Sequence, residues 1–156
     1  MTVLLLSLAL GLALITLAVI DARTLRLPDP IPLPLIGCGL AAAWALDMPL
    51  RQHAIGAGLG YLGFVALELA YARLRGRAGL GRGDAKLLAA GGAWCGALAL
   101  PVILLAASAS GLGYVIALRL TGRRVEMVAF GPFLALGIAL GWALVVTGAW
   151  PPGGGL

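Results

Sequence analysis

The chain has 156 residues, of which 62% are hydrophobic and 11% are charged. A soluble domain would carry about 25% charged residues, so this composition excludes a soluble globular protein and indicates an integral membrane protein. The net charge of +5 does not require a nucleic acid partner, because basic residues beside an anionic lipid surface explain it.

Charged residues and prolines divide the sequence into six predicted helices, at about 2–20, 31–46, 53–72, 84–98, 101–119 and 128–148. The uncharged run from Leu87 to Leu118 would reach ~48 Å as one helix, well beyond an apolar layer of ~30 Å. We therefore expect it to turn back near Pro101. The predicted fold class is an all-α membrane protein, a bundle of about six transmembrane helices. One domain is expected over 1–150, with a flexible tail over 151–156.

The basic residues are distributed unevenly among the loops. Ten of the eleven Lys and Arg residues follow helices one, three and five, and Arg51 is the exception. Because positively charged loops are retained in the cytoplasm, both termini are predicted to be periplasmic and the segment 73–86 cytoplasmic. Four tryptophans fall near the outer ends of the helices, away from the basic loops, as in an aromatic belt: Trp44, Trp94, Trp142 and Trp150.

Small residues recur at a four-residue spacing that lets helices approach closely in lipid, in the pairs Gly56/Gly60, Gly92/Gly96 and Gly137/Gly141. Cys38 and Cys95 lie in apolar runs without CxxC spacing, so they are interpreted as small buried side chains. His53 is the one histidine and is interpreted as a packed or interfacial residue. No metal site and no cofactor are expected.

Two aspartates are predicted to lie at the same edge of the bilayer. Asp21 ends helix one, and Asp84 begins helix four within the segment GLGRGDAKLL. Carboxylates at membrane depth are costly and usually face a cavity or a partner. Two converging aspartates can share a proton, so that one activates water while the other protonates the carbonyl oxygen or leaving amine. Gly81 and Gly83 permit close backbone approach of an extended substrate.

The residues alone leave other interpretations open. In the first of them, neither aspartate is catalytic: Asp84 only caps helix four, and Asp21 is a charge at the membrane interface. Paired carboxylates also occur in the ion or proton path of a small transporter or channel, although helices one, two, five and six carry few polar groups. A non-enzymatic membrane scaffold would explain the small-residue faces but not the glycine–aspartate segment.

Three segments resemble motifs of the prepilin peptidases, the type IV leader peptidase family of GxGD membrane aspartyl proteases. They are GLGRGDAKLLAAGGAWCG, IDARTLRLPDPIPLPL with its LPD triplet, and AFGPFLALG. The resemblance implies removal of the short leader from prepilins or pseudopilins at the cytoplasmic face of the bacterial inner membrane. It also implies that Asp21 and Asp84 are catalytic, with Gly81, Gly83 and Lys86 in the supporting GxGD segment.

Further expectations follow from this resemblance. Leaders of this class resemble short basic segments, which makes Asp29 and Glu126 candidate substrate-binding residues; alternatively, both balance neighbouring arginines. Independently of the resemblance, Arg75 lies one turn and more after Glu68, so the two side chains are expected to pair. Many relatives also carry zinc-binding cysteine pairs before the first helix and methylate the new amino terminus. This chain begins in a span without those cysteines, so the resemblance covers the peptidase part and N-methyltransferase activity is not expected.

The sequence also suggests a division of labour between the two aspartates. Asp84 lies at a helix start beside Arg82 and Lys86, which favour its ionised form. Asp21 lies at a helix end, where the dipole disfavours a negative charge. The sequence therefore predicts that Asp84 is the general base and that Asp21 carries the proton.

Overall fold

The computed structural model describes residues 1–25, 27–75, 81–122 and 128–149, with Arg75 described by its backbone alone. These residues form six α-helices and one short 3-10 turn, without any strand. The helices are α1 (Thr2–Thr24), α2 (Pro32–Ala45), α3 (Leu50–Arg75), α4 (Arg82–Cys95), α5 (Leu100–Leu120) and α6 (Gly131–Val146), with the 3-10 turn at Ala97–Ala99. The all-α fold class is confirmed.

Three stretches of helix are long and apolar enough to cross a membrane: Thr2–Thr24, Leu50–Leu74 and Ala97–Leu120. The apolar helices α2 and α6 are shorter, with 14 and 16 residues. The chain is therefore a multi-pass membrane protein. Six crossings and periplasmic termini stay predictions, and the tail over 151–156 lies outside the described residues.

The last turn of α1 extends beyond the predicted end of the first helix. Asp21 consequently lies within the helix and not after it, and Leu25 ends the helix in the left-handed conformation with a φ of 53°. The N–H of Leu25 donates to the carbonyl oxygen of Asp21 at 2.8 Å. Charged side chains do not break a helix, and the first proline beyond this point is Pro28, which disfavours helical geometry just before it.

The helix α4 packs against α2, α3 and α6. Every residue from Leu87 to Cys95 is buried. Glycines make this possible, because a Cβ on Gly60 would lie 2.7 Å from the carbonyl oxygen of Leu88, and the backbones of Gly56 and Gly92 are in direct contact. The predicted close packing at these glycines is confirmed.

A second close approach joins α5 and α6. A Cβ on Gly137 would collide with the carbonyl oxygen of Ile103, and one on Gly141 would lie 3.1 Å from the Ile103 side chain. Gly96 has a different role from the one predicted. With a φ of 83° it ends α4, and the chain then turns back into α5 with Pro101 in its first turn, as expected.

Trp94 and Trp142 lie near the ends of α4 and α6, as predicted, but they do not face outwards as in an aromatic belt. Trp94 and Trp142 are buried and stack edge-to-face with ring centroids 5.2 Å apart. The Nε1 of Trp94 donates to the carbonyl oxygen of Leu35 at 2.9 Å, which satisfies its buried N–H. Trp44 is exposed, and Trp150 lies outside the described residues. Both buried indoles stabilise the bundle interior, because facing helices enclose them.

The predictions that Cys38, Cys95 and His53 are packed side chains hold for two of these three residues. Cys95 is buried as predicted, whereas Cys38 is exposed on α2. His53 is buried, and its Nδ1 donates to the carbonyl oxygen of Ala93 at 2.9 Å. The histidine therefore joins α3 to the end of α4, which agrees with its interpretation as a packed residue.

Candidate active site

Asp21 and Asp84 lie on the wall of one cavity of about 510 Å³. The cavity lies among the end of α1, the connection from α1 to α2 and the start of α4. Its described lining residues are Asp21, Leu25, Leu27, Asp29, Gly81, Arg82, Gly83, Asp84 and Lys86. Only 4% of Asp21 and 8% of Asp84 is exposed. The tertiary structure thus brings together the two carboxyl groups, which lie 63 positions apart in the sequence (84 − 21).

The carboxyl group of Asp21 is held by the start of α6. The backbone N–H of Gly131, the first residue of that helix, donates to Asp21 Oδ2 at 2.8 Å. A Cβ on Gly131 would lie 2.6 Å from the same oxygen, so the approach requires glycine. The sequence contained a signal for this contact, the segment AFGPFLALG, but no role could be assigned to it from the sequence.

Asp84 lies in the first turn of α4, as predicted, and its backbone N–H donates to the carbonyl oxygen of Gly81 at 3.0 Å. Its Oδ1 is buried and has no hydrogen-bond partner within the described part of the chain. Asp84 is therefore an enclosed carboxyl group, whereas Asp21 accepts a hydrogen bond from the backbone.

The two glycines of the GxGD segment have different surroundings. A Cβ on Gly83 would lie 2.6 Å from the Cβ of Leu27, so this glycine lets the connection between α1 and α2 close over the start of α4. A Cβ on Gly81 would meet only Asp84 Oδ2, at the ordinary contact distance of 3.5 Å. Gly81 has a φ of −82°, which any residue adopts. Close packing therefore explains Gly83 but not Gly81.

Two ion pairs lie beside the aspartates. The Nζ of Lys86 donates to Asp29 Oδ1 at 2.5 Å, and Arg82 Nε lies 3.8 Å from Glu68 Oε1. Asp29 thus has Lys86 as its described partner, and the neighbouring Arg26 lies outside the described residues. Glu68 has Arg82 as its described partner, and the side chain of Arg75 lies outside the described residues. Both cations that were expected to favour ionised Asp84 contact other carboxylates.

One predicted substrate-binding residue lies outside the described residues. Glu126 lies outside the described residues, together with Arg123 and Arg124, and stays a predicted substrate-binding residue. Within the described ranges, no group of three or more His, Cys, Asp or Glu side chains is arranged to hold a metal ion. The chemistry that the described cavity offers is that of two enclosed carboxyl groups with an ion pair at its wall.

Comparison with known proteins shows the family. The chain matches the type IV leader peptidase family over residues 8–116, which include both aspartates of the cavity. The chain belongs to this family. The resemblance seen in the motifs is thereby confirmed for the part that holds Asp21 and the GxGD segment.

Similar curated proteins carry the name prepilin leader peptidase/N-methyltransferase. The one from Dickeya chrysanthemi is 45% identical over 139 residues, covering 87% of this chain and 49% of the relative. The one from Escherichia coli (strain K12) is 46% identical over 126 residues, covering 79% and 56%. The one from Neisseria gonorrhoeae is 42% identical over 134 residues, covering 84% and 44%. The chain spans about half the length of these relatives. No solved structure matches it.

Proposed function

We propose that the chain is a membrane aspartyl endopeptidase that removes the short leader from prepilins or pseudopilins. The observation that carries this proposal is the cavity shared by Asp21 and Asp84 in a member of the type IV leader peptidase family. The names of the similar proteins support the substrate class. Family membership favours this activity over the transporter and the scaffold, and neither of those has a specific observation in its support.

The proposed chemistry needs only the two carboxyl groups and water. The ionised aspartate accepts a proton from water while the water oxygen attacks the scissile carbonyl carbon. The protonated aspartate donates its proton to the carbonyl oxygen, which gives a neutral tetrahedral diol. When the C–N bond breaks, the amine nitrogen takes up a proton from one carboxyl group and a diol hydroxyl returns one, so that the pair again holds a single proton. A cavity of about 510 Å³ accommodates a peptide segment and this water.

We place the site at the cytoplasmic face of the bacterial inner membrane. The charge bias of the sequence supports this location, and the described cations agree with it, because Arg82 and Lys86 line the cavity that holds both aspartates. In this orientation both termini lie in the periplasm. The hydrophobic helix of a prepilin would then lie in the lipid while its leader reaches the cavity from the cytoplasm.

Asp29 is the described candidate for binding a basic leader. It lines the same cavity as the aspartates and holds the ammonium of Lys86. A leader lysine or arginine would exchange with Lys86, so that no carboxylate is left without a cation. Gly83 and Lys86 support the site by shaping this wall, and Gly81 of the same segment lines it without a close contact. Glu126 is proposed as a second contact for the leader.

The test is cleavage of a purified prepilin substrate by the purified chain in lipid. Asp21→Asn and Asp84→Asn should each abolish cleavage, because an amide retains the side-chain volume but cannot act as a base or an acid. Asp47→Asn is the matched control, since Asp47 is exposed and has a φ of 51°, a conformation that asparagine tolerates. Turnover of either site variant at the rate of the control would show that the pair is not catalytic.

A further inference from the structure

The N-terminus of α6, in the last part of the chain, contacts one aspartate of the pair, Asp21. We propose that the backbone N–H of Gly131 positions Asp21 and keeps it as the ionised general base, which leaves the shared proton on Asp84. This inference rests on the proposed function and reverses the division of labour that the sequence predicts. Gly131 is a positioning residue in this scheme, because it acts on the reaction through Asp21.

The hydrogen bond itself is the first part of the argument. Gly131 and Asp21 lie 110 positions apart, and the bond between them is buried. As the first residue of α6, Gly131 has an N–H without an intrahelical partner, so this donor is available to a side chain. An N–H group bonds more strongly to an ionised carboxylate than to a neutral acid. The contact therefore stabilises the charged form of Asp21.

The helix dipoles do not favour Asp84 over Asp21 as the ionised aspartate, although the sequence predicts that Asp84 is ionised. The end of α1 disfavours a charge on Asp21, but the start of α6 lies against the same carboxylate and opposes that effect. The start of α4 favours a charge on Asp84. However, Oδ1 of Asp84 is buried without a partner among the described residues, and burial without hydrogen bonds favours a neutral acid.

Among the described residues, the cations that line the cavity contact carboxylates other than the pair. Of the cations that line the cavity, Lys86 contacts Asp29 and Arg82 lies beside Glu68. Arg23, on α1, is exposed. The helices α2 and α6 carry no Asp, Glu, Lys, Arg or His within their bounds. The Gly131 bond is therefore the contact in the described structure that distinguishes Asp21 from Asp84.

The direct test is infrared spectroscopy of the chain in lipid at about pH 6, where exposed carboxylates are ionised. A protonated carboxyl group has its own C=O stretching band. We expect this band in the parent chain and in Asp21→Asn, and we expect Asp84→Asn to lose it. Loss of the band in Asp21→Asn with retention in Asp84→Asn would overturn the proposal, and so would its absence from the parent chain.

A kinetic test uses Gly131→Ala. The added Cβ pushes the Asp21 carboxylate away from the N–H, so kcat should fall and the acidic limb of the pH–rate profile should move up by about one pH unit, with KM unchanged. Gly141→Ala, on the same helix, is the control, because its Cβ strains the contact with Ile103 and leaves the site intact.

An acidic limb that stays in place in Gly131→Ala would overturn the proposal. If this variant fails to fold, the infrared result still decides the matter. Because the infrared measurement requires no cleavage, it also separates a failure of this inference from a failure of the proposed peptidase activity.

Discussion

The two glycines of the GxGD segment should respond very differently to the same substitution. In Gly83→Ala the new Cβ would lie 2.6 Å from the Cβ of Leu27. Two carbon atoms are in ordinary contact at ~3.5–4.0 Å, so the connection between α1 and α2 must move by ~1 Å. Overpacking of this kind costs about 1–3 kcal/mol.

Gly83→Ala should lower the catalytic activity much more than it lowers the stability of the protein. Alanine within a helix is favoured over glycine by up to about 1 kcal/mol, which offsets part of the cost of the contact. The free energy of unfolding should therefore fall by about 0–2 kcal/mol. The connection that moves carries Leu27 and Asp29 on the cavity wall, and a displacement of ~1 Å near a reacting group costs about 100-fold in rate. We expect kcat/KM to fall by about that factor.

Gly81→Ala is the matched control in the same segment. Its Cβ would lie 3.5 Å from Asp84 Oδ2, and its backbone conformation suits alanine. The assay is leader cleavage by each purified variant, corrected for the folded fraction measured by thermal unfolding in lipid. Gly81→Ala should retain most of the parent activity. Equal losses in both variants would refute the argument, because the close contact with Leu27 would then not explain Gly83.

Three further outcomes are expected. Gly92→Ala should lower the free energy of unfolding, measured by thermal unfolding in lipid, by about 1–3 kcal/mol, because α3 and α4 touch at this backbone. Gly58→Ala is the control: a Cβ there meets open space, so this substitution should be neutral or slightly stabilising. Lys86→Met should shift the acidic limb of the pH–rate profile less than Gly131→Ala does, because the ammonium lies on another carboxylate; an equal shift would contradict this. A cysteine in place of Arg77 should resist an impermeant thiol reagent added to intact cells in which the native cysteines are serine, and labelling would contradict the predicted orientation.

The sequence by itself determined the elements and the chemical groups of this protein. Apolar runs of spanning length, interrupted by charges and prolines, depend only on local composition, and they predicted the helices close to their observed positions. Asp21 and Asp84 were identifiable because a carboxylate is expensive beside lipid, whatever it contacts. Gly56, Gly60 and Gly92 were identifiable as contacts because their spacing puts small residues on one face of a helix.

The tertiary structure decided which groups meet. The bond from Gly131 to Asp21 joins residues 110 positions apart, and no local pattern states that the start of α6 lies at the end of α1. Lys86 was assigned to Asp84 because the two are close in sequence, yet its side chain reaches Asp29, 57 positions away. Trp94 was assigned to a membrane interface, yet facing helices enclose it. In each case the partner comes from another helix, and packing energy, which depends on the whole bundle, determines that contact.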